Sequence, residues 1–228
     1  MLVHGFVPVS RANGPGRRAV LWFQGCNLNC LECWNQASHP FEGAPTDGSD
    51  IVRRVLALHH AGEIEGLTFS GGEPMQQASS VLELIERLRE ADRTPPLTFG
   101  MFTGYTVGEL DQGRYFTFNE CPEKTMVWQQ IRDRLDFAVM GRYNRLAPGT
   151  QPLRSSRNQK LHLFTVRYKE RDFGEQTVEV SIEENGAATI TGFPVLGCPH
   201  NLPAQFQANQ KRQSSAGLSR VVIAQFLP

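Results

Sequence analysis

Three of the five cysteines fall within eight residues, and this cluster limits the fold more than any other feature of the sequence. Cys26, Cys30 and Cys33 follow the spacing C-x3-C-x2-C. Thiolates are good ligands for iron and zinc, and three on one short loop can hold a metal centre without the rest of the fold closing first. A [4Fe–4S] cluster usually takes four cysteines, so a cluster held by three leaves one iron free for another ligand.

A zinc site is the alternative for this loop. His39 could serve as a fourth ligand beside the three cysteines. Structural zinc sites, however, typically arrange their ligands as two pairs separated along the chain. The tight triplet therefore favours an iron–sulfur cluster, while zinc remains open at this point.

The composition limits the class of partner and the location. Lys and Arg total 23, as do Asp and Glu, so the net charge gives no support for nucleic acid or an anionic membrane as a partner. No apolar run approaches the ~20 residues of a membrane helix, and the N-terminus does not resemble a signal peptide. Clustered cysteines in such a chain indicate metal binding rather than disulfides, and hence a reducing cytoplasm.

Apolar runs of strand type alternate with helical patterns, which predicts an α/β fold with a parallel sheet. The predicted strands are residues 19–24, 67–70, 97–102 and the start of 136–143. The predicted helices are one that follows an N-cap at Asp50, one over 76–91, and a mainly helical region over 108–134 in which Cys121-Pro122 begins a helix. Residues 1–18 are interpreted as a turn-rich approach to the first strand. The cysteine loop follows strand 19–24 directly, where the active site of an α/β barrel is built.

A second motif, Gly71-Gly72-Glu73-Pro74, follows the strand at 67–70. Two glycines allow the backbone to approach a ligand closely, and Glu73 supplies a carboxylate that can accept from an ammonium group. A tight turn that caps the next helix would explain the same residues. The position after the second predicted strand, downstream of the cysteine loop, favours the ligand-binding interpretation.

The cysteine spacing is that of radical S-adenosylmethionine (SAM) enzymes. The flanking residues 13–25 and Trp34-Asn35 resemble the activating proteins of anaerobic ribonucleotide reductase and other glycyl-radical activases. The resemblance covers about residues 9–165 and implies a partial, open TIM-like β/α barrel of the radical SAM type. It implies that the three cysteines hold three irons, that SAM chelates the fourth, that Gly71, Gly72, Glu73 and Pro74 bind SAM, and that Trp34 shields the cluster.

Further SAM contacts follow from this resemblance. Thr103 and Tyr105 lie where activase residues contact SAM, although a strand-to-helix turn would also explain them. Residues 136–143 resemble the family's Asp-x4-Gly-x-Phe/Tyr segment, and 153–160 its Gly-Ser-x-Asn-Gln segment, with Ser155 replacing the glycine. The polar side chains of the second segment could bind SAM, brace the site or simply tie their own loop together. They are Arg154, Ser156, Asn158 and Gln159.

The resemblance implies an enzyme that reductively cleaves SAM to a 5′-deoxyadenosyl radical, which then removes a hydrogen atom from a glycine of a glycyl-radical partner enzyme. It also implies an electron donor such as flavodoxin or ferredoxin. Two alternatives stay open. One is a radical SAM reaction on a small molecule or peptide, such as an epimerisation, with Cys121 or Cys198 as hydrogen donor. The other is an iron–sulfur or zinc sensor without turnover.

The domain division predicted from the sequence is a core over residues 1–165 and an extension over 166–228. Alternating residues at 161–166, 177–182 and 188–194 indicate strands, and 221–226 is a short apolar element that docks on the core. Cys121 and Cys198 are too few for a second cluster, so buried free thiols are the favoured interpretation.

Overall fold

Four parallel strands form the centre of the main sheet in the computed structural model, which describes residues 1–91, 96–121, 123–174, 178–182, 188–193 and 220–224. In these residues the sheet has six strands in sequence order, and its first and last strands are antiparallel to their neighbours. The strands are β1 (Val3–Ser10), β2 (Arg18–Phe23), β3 (Gly66–Gly71), β4 (Thr98–Thr103), β5 (Phe137–Met140) and β6 (Lys160–Leu163). The described residues thus form a mixed α/β structure around a six-stranded sheet, and the partial barrel stays a prediction.

Helices connect the parallel strands. They are α1 (Gly48–His60), α2 (Ala78–Ala91), α3 (Val107–Asp111) and α4 (Lys124–Arg132), with 3-10 helices at Gln36–Ser38, Pro74–Gln77 and Glu170–Asp172. The predicted N-cap of α1 is wrong by three residues, because the Asp47 carboxylate accepts from the Ser49 N–H at 2.8 Å and Asp50 lies inside the first turn. In α2, the apolar side chains of Val81, Leu84, Ile85 and Leu88 are buried in the main core.

The prediction of a mainly helical region over 108–134 is wrong, because the helices that the structure describes there cover only Val107–Asp111 and Lys124–Arg132. α3 ends before Gly113, whose φ of +65° breaks the helix, and α4 begins only at Lys124 after an N-cap at Glu123. In between, the N–H groups of Phe116 and Phe118 are bonded outside any helix. Cys121 therefore precedes α4 and does not begin it, and Pro122 lies outside the described residues.

The sequence prediction missed β1, which occupies part of the expected approach loop. This strand has register irregularities between Val3 and Gly5 and between Val7 and Ser10, and it contains Pro8. Glycine and proline weaken a strand signal, yet an edge strand tolerates both because one side of its backbone needs no ladder partner. In the part of the chain that the structure describes, no helix combines the length and apolarity needed to cross a membrane.

A separate three-stranded antiparallel sheet lies in the predicted extension. Its strands are β7 (Val178–Ile182), β8 (Ala188–Gly192) and β9 (Arg220–Ala224), in the order β8-β7-β9. It contacts the chain around the end of β1, where the buried Glu179 carboxylate accepts from the Ser10 hydroxyl at 2.5 Å and the Arg11 N–H at 2.8 Å. The Phe102 and Phe193 rings also pack at 5.2 Å. The domain boundary at residue 165 stays a prediction.

Candidate active site

The carboxyl ends of the four parallel strands bring the predicted motifs to one edge of the sheet. β2 ends at Phe23, just before the cysteine loop, and β3 ends at Gly71, the first residue of the glycine motif. β4 ends at Thr103, and Gly141 follows β5. Since parallel strands point the same way, residues far apart in sequence meet there, as at other α/β active sites.

Backbone hydrogen bonds join the glycine motif directly to the start of the cysteine loop. The Gly72 N–H donates to the Phe23 carbonyl at 2.8 Å, and the Glu73 N–H donates to the Gly25 carbonyl at 2.9 Å. Gly71 has a φ of +99°, and a Cβ there would lie 2.5 Å from the Phe23 nitrogen. A Cβ on Gly72 would overlap the Gly25 carbonyl oxygen. Both glycines are therefore needed for close backbone packing, a reason the sequence alone did not reveal.

The cysteine loop is closed on itself by further backbone bonds. The Gly25 N–H donates to the Ser38 carbonyl at 2.7 Å, and the Cys26 N–H donates to the His39 carbonyl at 2.9 Å. Within the loop the Cys33 N–H donates to the Cys30 carbonyl at 3.2 Å. The 3-10 helix that contains Ser38 thus brings the chain back beside Gly25 and Cys26, and the three cysteines lie on one loop that these bonds close.

The three thiols are free and are partly or fully shielded from solvent. Cys26 is buried, and Cys30 and Cys33 are half-buried. Burial raises the pKa of all three, that of Cys26 to about 12. Backbone N–H groups oppose this rise, and the one from Asn35 lies 3.4 Å from the Cys33 sulfur. Similar backbone bonds lower the pKa of Cys26 and Cys30. A bound cation would lower the pKa of the three thiols further, because it stabilises the thiolate over the thiol.

The donor set fits a 4Fe–4S cluster better than a single zinc ion. Among the described residues, no three His, Cys, Asp or Glu side chains form a group that could hold one metal ion, so His39 does not complete such a group with the cysteines. Zinc needs its ligands around one point, whereas each thiolate of a cluster binds a different iron. Cys26, Cys30 and Cys33 would hold the cluster.

Glu73 is the most constrained polar residue of the site. Its side chain is buried, and its carboxylate accepts from the Thr103 hydroxyl at 2.7 Å and from the N–H groups of Met75 and Gly104 at 2.9 and 2.7 Å. Burial nevertheless raises the pKa of this carboxyl to about 7. Glu73 also caps the 3-10 helix that begins at Pro74, so the turn-capping interpretation is correct as well. Its contact with SAM stays a prediction.

Two glutamines that the sequence analysis passed over help to hold the site together. The Gln76 side-chain amide donates to the Tyr105 hydroxyl at 2.9 Å and to the Asn27 side-chain carbonyl at 2.5 Å. Its side-chain oxygen accepts from the backbone N–H of Asn27. Gln77 donates to the carbonyls of Leu2 and Gln24. Both glutamines are buried and follow Glu73 closely, so their position after the motif was the one available signal.

Arg142 is the other residue that the sequence analysis did not single out. Its guanidinium donates to the Glu109 carboxylate at 2.8 Å and to the Gly104 carbonyl at 3.2 Å, and it lies 5.2 Å from the centre of the Tyr105 ring. This bond lowers the pKa of Glu109 to about 2. The charge of Arg142 also lowers the pKa of Cys30, so a cation stands beside the cysteine loop.

The polar residues after position 153 brace their own loop, which was one of the alternatives. Asn158 donates to the Arg142 carbonyl at 2.8 Å, and Gln159 donates to the Gly141 carbonyl at 3.2 Å. The Ser156 hydroxyl accepts from the Asn144 N–H at 2.8 Å. Arg154 donates to the Pro152 carbonyl at 3.3 Å. The structure brings this loop to the site edge through Gly141 and Arg142, and hydrogen bonds from it to SAM stay a prediction.

Three further residues from the sequence predictions are Trp34, Cys121 and Cys198. Trp34 follows the third cysteine and is 44% exposed, and its role as a shield stays a prediction. Cys121 is buried and free, as predicted, whereas Cys198 lies outside the described residues.

Comparison with known proteins agrees with the site. The model of the 4Fe-4S single cluster domain matches residues 12–162. The anaerobic ribonucleoside-triphosphate reductase-activating protein of Vibrio cholerae is 30% identical over 172 residues, which are 73% of this chain and all of that protein. The Escherichia coli K12 protein of the same name is 27% identical over 71% of this chain and 98% of its own.

A relative with a different name points the same way. A putative glycyl-radical enzyme activating enzyme of Haemophilus influenzae is 32% identical over 40% of this chain and 36% of its own length. The predicted resemblance to activating enzymes with an iron–sulfur cluster is therefore confirmed. The chain belongs to the 4Fe-4S single cluster domain family, among the activating enzymes of glycyl-radical enzymes.

Proposed function

We propose that this protein is a radical SAM enzyme that activates a glycyl-radical partner by removing a hydrogen atom from one of its glycines. One observation carries the proposal. The cysteine loop after β2 and the glycine motif after β3 are joined by two backbone hydrogen bonds, from Gly72 to Phe23 and from Glu73 to Gly25. The residues of the two motifs are thus fixed relative to each other before any ligand binds.

Cys26, Cys30 and Cys33 would hold three irons of the cluster, and SAM would bind the fourth. When bound, the cluster supplies the electron that cleaves SAM to methionine and a 5′-deoxyadenosyl radical. The chain itself supplies position and exclusion of water. No described residue is required as an acid or base for this step.

Glu73 has a double role in this proposal. Its carboxylate fixes the end of β4 through Thr103 and Gly104, and its N–H group joins the motif to the start of the cysteine loop at Gly25. Gly71 and Gly72 allow the backbone of the motif to pack closely against Phe23 and Gly25, which holds the motif beside the cysteine loop, where the amino group of SAM would bind. Tyr105, held by Gln76 and the Phe116 N–H, limits the site on the β4 side.

The relatives support the choice of a glycyl-radical partner over a small molecule. Two of them are named as activating proteins of anaerobic ribonucleoside-triphosphate reductase, and their alignments cover 98–100% of their own lengths. About a quarter of this chain lies outside the alignment with the Vibrio cholerae protein. We assign the electron to a reduced flavodoxin or ferredoxin, and place the reaction in the cytoplasm.

The test is anaerobic. The protein is reconstituted with iron and sulfide, reduced with dithionite and mixed with SAM, and 5′-deoxyadenosine is measured. Cys30→Ala should abolish the nucleoside, whereas Cys121→Ala, which removes a buried cysteine outside the loop, should keep it. A glycyl-radical signal in a candidate partner then tests the activase role. A fully loaded protein that forms no nucleoside even with such partners present would refute the proposed function.

A further inference from the structure

Residues 141–160, which we call the cationic segment, concentrate positive charge in a chain whose overall charge is zero. The segment holds five basic residues and no Asp or Glu. Its basic residues are Arg142, Arg145, Arg154, Arg157 and Lys160. A local excess of this kind produces a positive field even when the whole chain is neutral.

The cationic segment is one folded unit, so its charges share a surface region. The Arg157 N–H donates to the Ala147 carbonyl at 2.7 Å, and the Gly149 N–H donates to the Ser155 carbonyl at 3.1 Å. Pro148 and Ser156 form an isolated antiparallel bridge. The first and second halves of the segment are thereby folded against each other, with Arg157 and Lys160 exposed.

This unit lies directly against the cysteine loop. The Arg145 guanidinium is 3.1 Å from the Glu32 carboxylate, which lies between the second and third cysteines. The Tyr143 backbone donates to the Cys30 sulfur. Arg145 pairs with Glu32 and Arg142 with Glu109, and the segment itself contains no acidic residue, so its own sequence carries an excess of positive charge.

Exposed leucines flank the junction of the two loops. Leu31 is 67% exposed and Leu146 is 79% exposed, and each is the chain neighbour of one partner of the Glu32–Arg145 ion pair. Exposed apolar side chains among positive charges fit a protein partner better than nucleic acid, which is bound mainly through phosphate contacts.

We propose that the cationic segment is the docking surface for an acidic one-electron carrier protein of the flavodoxin or ferredoxin class. The inference rests on the proposed function, which needs one electron per SAM cleaved. The reduced carrier would lose one electron and the cluster would gain it, with no bond formed or broken. A carrier seated on this surface stands over Cys30, whereas the partner glycine must reach the SAM beside Glu73.

The experiment uses the full-length reconstituted protein and a purified acidic flavodoxin reduced to its hydroquinone. Arg157→Glu/Lys160→Glu reverses two exposed charges of the segment and changes none of the residues placed in the site. The matched control is Arg167→Glu/Arg171→Glu. These exposed arginines flank Tyr168, which bonds to Thr98 at the opposite, amino end of β4.

At low ionic strength, the segment variant should be reduced by flavodoxin at least about tenfold more slowly than wild type, and should bind it more weakly without SAM present. The difference should shrink near 1 M salt, where the screening length is about 3 Å. Iron content, melting temperature and dithionite-driven SAM cleavage should match wild type. The control variant should behave as wild type throughout.

Several results would overturn the docking proposal. One is a flavodoxin reduction rate equal to wild type in the segment variant, and another is an equal slowing in the control. Normal reduction combined with a lost glycyl-radical signal would assign the surface to the radical acceptor instead, and charge-dependent binding of a DNA duplex without carrier binding would assign it to nucleic acid. Dithionite-driven SAM cleavage tests the proposed function alone, so the two failures are distinguishable.

Discussion

Gly72→Ala is the sharpest test of how the two motifs are joined. Gly72 does not have a positive φ, so alanine introduces no backbone strain there and its effect is purely steric. The added Cβ would overlap the Gly25 carbonyl oxygen and lie 2.9 Å from the Ser38 carbonyl oxygen. Both neighbours are backbone atoms, and neither can rotate away as a side chain would.

The expected cost follows from what must move. Shifting Gly25 weakens, without breaking, its bonds to Glu73 and Ser38, which measure 2.9 and 2.7 Å. Each bond is worth about 1 kcal/mol, so losing about half of each costs about 1 kcal/mol in all. Overpacking adds about 1–3 kcal/mol, for a total of about 2–4 kcal/mol. For a chain of this size, that loss lowers the melting temperature by about 5–15 °C.

Thermal unfolding before cluster assembly measures this cost without any ligand, and iron per chain after reconstitution measures its effect on the cysteine loop. Gly108→Ala is the matched control, because a Cβ there meets nothing within 4 Å inside α3. It should be neutral or stabilising by up to about 1 kcal/mol. A Gly72→Ala protein that melts within about 1 °C of wild type and loads iron fully would refute the backbone-packing argument.

Three further predictions concern single buried groups. Burial raises the pKa of Glu73 to about 7, so this carboxyl stabilises the native state fully below pH 4.5, and the contribution is lost as pH rises through 7. Glu73→Gln should therefore make the melting temperature fall less with rising pH than it does in wild type. Gln76→Met breaks the bonds to Asn27 and Tyr105 and should lower both stability, by about 1–3 kcal/mol, and the iron retained after gel filtration. Arg18→Met leaves buried oxygens unpaired and should cost about 3 kcal/mol or more in chemical denaturation, with unchanged iron per folded chain.

The sequence predicted the location of the site because its signals are local. The cysteine triplet and the glycine motif each follow a short apolar run, and parallel strands place such positions at one edge of a sheet. β2 and β3 were found within a residue or two of their predicted bounds. The motif residues and the strand ends could therefore be predicted without knowledge of the tertiary structure.

What the sequence did not predict depends on contacts between distant residues. Gln76 and Arg142 look like ordinary polar residues until the fold brings them to Tyr105 and Glu109. The break in region 108–134 has the same origin, since the Phe118 N–H donates to the Gln76 carbonyl instead of extending a helix. Propensity and periodicity describe a segment alone, and tertiary bonds override them.

The net charge of the chain likewise conceals a local excess of positive charge. Equal numbers of acidic and basic residues give no support for a strongly electrostatic partner, but a total says nothing about where charges lie. Five cations in residues 141–160 without an acid form a local excess that the total conceals. Only the fold shows where this excess charge lies, because the Arg145–Glu32 ion pair places it beside the cysteine loop.

The amino and carboxyl ends of the parallel strands have different roles. At the amino ends, the buried Arg18 guanidinium donates to the hydroxyls of Thr68 and Thr98 at 2.8 Å and to the Leu67 and Thr98 carbonyls, and it packs 5.1 Å from the centre of the Phe137 ring. These bonds link the first residues of neighbouring strands, so this end contributes stability. At the carboxyl ends, Gly71 and Gly72 allow two loops to pack backbone against backbone, so these loops depend on backbone hydrogen bonds. A change at the amino end should therefore alter stability alone, whereas a change at Gly72 should alter stability and metal binding together.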